Sequence, residues 1–250
     1  MFANTLQPNV LSIFSSASSH PTLLASRLKA STAFPADSFI SLVQDATDEE
    51  QVLVWHGAEG SARDMKGKGK EVERGNLRSR VLHLQAPDIK TTSIRLGAPT
   101  RGAEGLGISL PFLHLAVKDL GQLFFFDVCV RDERGQLAMI RASTWQTTPK
   151  VYPQTNTHLP MLHLPLHFPP PSPHQLTPWT TITLPLQQLL SSLPSLGGPH
   201  LARFSSLQSI EVHANCRLRR IWCTEDGSEV AEGMALRGMM AELALFEADV

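Results

Sequence analysis

The chain has 250 residues, 42% of them apolar, and 22 basic against 23 acidic side chains give a formal net charge of -1. This length and apolar content allow one large β domain or two small ones with a real core, and the near balance of charge argues against nucleic-acid affinity resting on global charge. Cys129, Cys216 and Cys223 lack C-x-x-C spacing, so they suggest neither a complete disulfide framework nor a cysteine zinc site and point to a reducing compartment.

The first 36 residues contain no Asp or Glu, are rich in Ser and carry Arg27 and Lys29, superficially the composition of a transit peptide. Residues 10–14 read equally as the start of the folded domain, with SSASSH as a turn. Short apolar or alternating runs follow at 38–43, 51–56, 81–86, 106–118, 122–131 and 136–143, then at 161–168, 180–184 and 209–222. RDERG at 131–135 fits a tight hairpin, with Gly135 available for a left-handed position. The helical signal is confined to a short segment at 186–193 and a terminal one at 229–246. Helices of crossover length are too few to cover a parallel sheet, so the pattern predicts an all-β chain folded as an antiparallel β-sandwich with short peripheral helices. Two stretches interrupt it: a Gly/Lys-rich insertion near 57–80, and PPPSP within 168–178, where proline fixes φ and removes a donor and so predicts an extended surface connector. No apolar run reaches the roughly 20 residues that cross a bilayer.

Catalytic and cofactor signatures are weak. GKGKE at 67–71 has Glu where a phosphate loop needs Ser or Thr, and Gly102, Gly105 and Gly107 do not form the dinucleotide fingerprint. His163 and His167 lie four strand steps apart, roughly 13 Å, too far for one metal ion, whereas Leu162, Leu164, Leu166 and Phe168 alternate as a buried face. His114 with Cys129, or His213 with Cys216, lacks an orienting third group, and Asp127 and Glu211 read as single acids without a paired-carboxylate arrangement. The expectation is therefore no enzyme, no cofactor and no metal.

The segment 210–222, IEVHANCRLRRIW, carries more information. Ile210, Val212, Ala214, Cys216 and Leu218 share one face, while Glu211, His213, Asn215, Arg217 and Arg219 share the other, as on a half-buried strand. The alternation breaks at Arg220, so Ile221 and Trp222 follow a bulge or a turn. An exposed arginine side would suit an acidic partner, since the guanidinium fork pairs with carboxylates; ordinary solvated charge is the alternative. Trp145, in a polar, proline-bounded segment, serves either the core or an interface.

HANCRLRRIW at 213–222, MFANTLQPNVLSIFSS at 1–16, LGISLPFL at 106–113 and RASTWQTTPKVYP at 141–153 together resemble, in the same order, the cilia- and flagella-associated inner-junction protein family, also known from basal bodies. The resemblance implies that residues 1–225 form one β-sandwich of jelly-roll type and that 226–250 is a divergent, helical tail. It places the first residues in the domain rather than in a cleaved leader. It also implies a non-enzymatic role joining the A- and B-tubules at the inner junction of axonemal doublet microtubules, in the cilium axoneme and basal body. The partners would be tubulin and other axonemal inner-junction proteins, with no membrane and no direct nucleic-acid contact. His213, Asn215, Arg217, Arg219 and Arg220 fall on the basic signature and are the candidate protein contacts, with Trp145 a weaker one; His213 and Asn215 could equally fix the backbone. Charge reversal at Arg217 and Arg219 is expected to weaken the complex without unfolding the domain. Where the family pattern has a different aromatic before Gln, this chain has Trp145 before Gln146, and it carries insertions that the short family protein lacks. A nuclear scaffold for RNA processing or transcription, with nuclear protein partners, is the alternative; a carbohydrate-binding module is another, and would show coplanar exposed aromatics across a groove.

Overall fold

The computed structural model describes residues 2, 5–45, 80–99, 105–155, 158–170 and 178–227. The expected run at 51–56, nearly all of the Gly/Lys-rich insertion, residues 171–177 of the proline-rich connector and the terminal helix at 229–246 lie outside the described residues.

Among the described residues, thirteen strands form two sheets. The first sheet contains β1 (Val10–Ser15), β3 (Phe39–Gln44), β4 (Arg80–Gln85), β6 (Phe112–Asp119), β11 (Trp179–Pro185) and β13 (Cys216–Thr224). Its order is β11-β6-β13-β4-β3, and β1 pairs with the second half of β13 on the same side on which β4 pairs with its first half. The second sheet contains β2 (Ala25–Lys29), β5 (Ser93–Gly97), β7 (Phe125–Asp132), β8 (Leu137–Ser143), β9 (Lys150–Tyr152), β10 (Met161–Pro165) and β12 (Phe204–His213), in the order β2-β5-β12-β7-β8-β10-β9. Pairing is antiparallel throughout except between β8 and β10, which run parallel. The result is the all-β, jelly-roll-type sandwich expected from the sequence.

Period-two alternation explains why the sheets stack. Leu113, Leu115 and Val117 of β6, Phe126, Val128 and Val130 of β7 and Ile210 and Val212 of β12 all point into one continuous core, and each fully buried side chain of this size stabilises the fold by about 1.5–3 kcal/mol. The short α1 (Leu186–Ser192) turns Leu186 and Leu190 onto that core, with the Leu186 N–H donating to the Pro111 carbonyl at 2.8 Å. The β7–β8 hairpin closes through Gly135 at φ 78°, a conformation that costs glycine nothing. Its turn is tied by the Gln136 N–H donating to the Asp132 carboxylate at 2.7 Å.

Three elements depart from the sequence reading. The run at 106–118 is not one strand: Gly107 at φ 70° and an isolated bridge between Ile108 and Leu207 precede β6. The edge strands β2 and β9, and the five-residue β5, carry too few alternating positions to stand out from loops. The segment 210–222 is divided between the sheets, because the chain crosses from β12 to β13 at Ala214 and Asn215. The inward set survives that crossing, with Ile210, Val212, Ala214, Cys216 and Leu218 all buried. The outward set is split between opposite faces of the molecule.

Candidate functional site

On the outer face of the first sheet, Arg217 has His83 and Lys118 as its neighbours on β4 and β6, and Trp179 of β11 lies beyond Lys118. Asp45, just past the end of β3, is the hub. Its carboxylate accepts from Arg217 Nη1 at 2.8 Å, Trp179 Nε1 at 2.8 Å and Lys118 Nζ at 3.2 Å, and Arg219 Nη2 stands 3.9 Å away. Arg217 also donates to the Asp45 carbonyl at 3.2 Å and through Nε to His83 Nδ1 at 3.3 Å, and Phe39 stacks on His83. Arg219 lies over the Trp179 ring, 4.2 Å from its centroid. Burial would raise the Asp45 pKa, but the hydrogen bonds from Arg217 and Trp179 and the charge of Lys118 outweigh it and hold the carboxyl below its ordinary 3.8. Among the described residues, one carboxylate thus gathers three cations.

The break expected at Arg220 is a β-bulge: Leu218 and Arg220 face the consecutive Val117 and Ala116, leaving Arg219 as the extra residue. The bulge resets the alternation, so Ile221 and Cys223 join the core while Trp222 turns outward. Arg220 lies over the Trp222 ring at 5.3 Å, and His114 stacks on the ring's face at 5.0 Å. The two nitrogens of His114 meet the hydroxyls of Thr183 and Thr224 at 2.9 and 2.8 Å.

The expected open ridge is corrected here. Arg217 is only 9% exposed and Arg220 is buried too; Arg219, on the bulge, is the half-buried member. Long cationic stems lie flat on the sheet because indole faces and a single carboxylate are available to receive them. Reversing Arg217 would bury a carboxylate beside Asp45 and destabilise the domain, contrary to the expectation from sequence. His213 and Asn215 are not on this face at all.

His213 belongs to the outer face of the second sheet, where a row of charges crosses the strands: Arg95, Glu211, Asp127, Arg141 and His163 are successive neighbours. Arg141 Nε and Nη2 each bind one Asp127 oxygen at 2.7 Å, and Arg95 Nε donates to Glu211 at 2.8 Å. Ser93 donates to the other Glu211 oxygen at 2.7 Å. Glu211 and Asp127, read from sequence as single acids, therefore sit directly opposite each other on adjacent strands, each neutralised by its own arginine. The His213 ring stacks on Phe125 at 3.9 Å, with Nε2 4.0 Å from both carboxylates; burial lowers its pKa although both acids oppose that shift. Trp145, 39% exposed, meets Phe125 and His163 edge-on, and Tyr152 flanks the other side of His163. The Trp145 and Tyr152 planes stand at 78° and 43° to His163, so the two rings cannot be coplanar and do not make a sugar platform.

The paired nucleophile and base arrangements do not form. His114 and Cys129 lie on different sheets, and Cys216 Sγ points into the core, donating to the His213 carbonyl at 3.7 Å rather than meeting its ring. Burial pushes the Cys129 thiol up to about 12. Among the described residues no group of three His, Cys, Asp or Glu side chains could hold a metal ion.

Asn215 sits at the crossing, where its carboxamide accepts from the Ala86 N–H at 2.8 Å and donates to the Leu123 carbonyl at 3.4 Å. It fixes backbone. Asp45, Lys118 and Trp179 escaped the sequence reading because their partners are remote in the chain, and a lone Asp at the end of a strand has no local signature.

Residues 37–234 match the family model described as the CFA20 domain. The chain is 29% identical over 159 residues to the cilia- and flagella-associated protein 20 of Chlamydomonas reinhardtii, covering 64% of this chain and 73% of that one. It is 28% identical over 160 residues to the protein of the same name from Paramecium tetraurelia, covering 64% and 72%. The fold also superposes on an endo-1,4-β-glucanase, CelB2, with a TM-score of 0.37 and 10% identity over 58% of this chain and 83% of that one, a likeness too loose to transfer anything. With the family model spanning most of its length, the chain belongs to the CFA20-domain family.

Proposed function

We propose that the protein is a non-enzymatic structural component of cilia and basal bodies that joins the A- and B-tubules at the inner junction of axonemal doublet microtubules, with residues 1–225 as the working domain. Family membership and the relatives' printed association with cilia and flagella support the setting. The observation that carries the contact is the cluster of Lys118, Arg217 and Arg219 around Asp45. A surface where three cations gather suits an acidic partner such as tubulin, and charge complementarity of this kind sets encounter rate and orientation more than raw affinity. Arg219, on the bulge and half-buried, is the contact candidate; Asp45 and the Trp179 ring hold it in place.

Co-sedimentation with purified doublet microtubules tests both parts. The wild-type chain is expected to pellet in a salt-dependent way, and Arg219→Glu to bind about tenfold more weakly with an unchanged circular dichroism spectrum. Unchanged binding would remove Arg219 from the interface, and absence of pelleting would reject the tubule reading. A tagged chain confined to the nucleus of a ciliated cell would favour the nuclear alternative.

A further inference from the structure

The end of the sandwich where β12 crosses to β13 opens into a cleft of about 820 Å³. One wall is the turn after β4, with Pro87, Asp88 and Ile89; another is the β6–β7 connection, with Leu120 and Leu123. Asn215 bridges the two through its bonds to Ala86 and Leu123, so the cleft is held open by a buried side chain rather than by chance loop placement. Asp37, ahead of β3, completes the lip.

The chemistry of the lining is distinct from that of either sheet face. Among the described residues its titratable groups are two carboxylates, Asp37 and Asp88, and His83, with no Lys or Arg. Asp45, Asp127 and Glu211 each have a cationic partner, whereas among the described residues neither Asp37 nor Asp88 has a salt bridge, and both are exposed. Leu123 is 55% exposed on the same wall and Ile89 and Leu120 are half-buried, so an apolar side chain entering the cleft would leave water. Gln122 adds a carboxamide, which can satisfy both the N–H and the C=O of an extended backbone, while the Gln85 oxygen is already held by His83 Nε2 at 3.1 Å.

We infer that this cleft docks an extended peptide of a partner protein in which lysine or arginine alternates with aliphatic residues. The cations face Asp37 and Asp88, and the aliphatic side chains cover Leu123 and Ile89. Acidic peptides and nucleic acid are disfavoured by the two carboxylates, and a glycan by the lack of Trp, Tyr or Phe among the described residues of the lining. The cleft adjoins the basic face, with which it shares His83, but its exposed carboxylates carry the opposite charge, so the inference does not rest on the microtubule reading.

Fluorescence anisotropy with the full chain and a fluorescein-labelled Gly-Leu-Lys-Ile-Arg-Leu-Gly peptide provides the test, with a second peptide carrying Glu at both basic positions. Saturable, salt-sensitive binding of the basic peptide alone is expected. It should weaken roughly tenfold in Asp37→Asn/Asp88→Asn and similarly in Leu123→Ser, while Arg219→Glu binds as wild type. The aspartates are exposed, so the double variant should melt at the wild-type temperature. Equal binding of the acidic peptide, no binding of the basic one, or indifference to the double substitution would overturn the assignment.

Discussion

Asp45 shows how one side chain can set the character of a face. Its oxygens are shared among Arg217, Lys118 and Trp179, and all three lie on other strands. Removing the negative charge would leave mostly buried cations unanswered, which in comparable ion pairs costs about 3–5 kcal/mol. Asp45→Asn, which keeps the shape, is accordingly expected to lower the urea midpoint clearly at neutral pH. The sign of the acid effect follows from the lowered pKa: this stabilisation is complete above the ordinary aspartate value of 3.8 and is lost as pH falls through the lower folded value. Wild type should therefore lose stability on going below that value more steeply than Asp45→Asn, and equal slopes would show that the carboxylate is not the controlling group. None of this was legible locally. Arg217 and Trp179 are 172 and 134 residues from Asp45, and only strand pairing brings them together.

At the scale of elements, parity was legible and partnership was not. The alternation of β13 announces Cys216 and Leu218 as inward, and its failure at Arg220 announces a bulge or a turn, which the structure resolves as a bulge, where one extra residue shifts all later side chains by one face. The sequence could not reveal that β12 and β13 belong to different sheets, since the crossing at Ala214 and Asn215 leaves the apolar alternation intact. Nor could it reveal that β5 ends against its neighbours so closely. Gly97 has φ 69°, and a Cβ there would stand 2.6 Å from Leu106 Cγ and 2.4 Å from the Gln208 carbonyl oxygen. Both the left-handed backbone, worth roughly 1–3 kcal/mol for a non-glycine residue, and the collision oppose substitution. Gly97→Ala is expected to lower the melting temperature sharply, whereas Gly135→Ala, with open space around its Cβ, carries only the backbone penalty. Similar melting temperatures for the two variants would contradict this close packing.

For the whole molecule, the histidines kept uncharged by the sandwich govern its response to mild acid. Burial pushes the His114 pKa down from 6.5 to about 4, and burial also lowers those of His163 and His213. Between these values the unfolded chain takes up protons that the folded chain refuses, so stability is full above pH 6.5 and declines as pH falls toward 4. His114 alone should contribute on the order of 2–3 kcal/mol to that decline. Urea unfolding at several pH values across this range should show a shallower slope for His114→Gln than for wild type; an unchanged slope would exclude His114 as the source. Taken alone, the sequence determined the fold class, the inward face of most strands, the hairpin at Gly135, the short helix and a break in alternation near Arg220, because these follow from local periodicity and from backbone freedom at glycine. Only the tertiary structure decided that the basic signature lies against Asp45 and two indoles, that Glu211 and Asp127 are neighbours, and that an acidic cleft opens at Asn215. Those features depend on which strands pair and on burial by remote chain, and neither is encoded in the spacing of residues along a single strand.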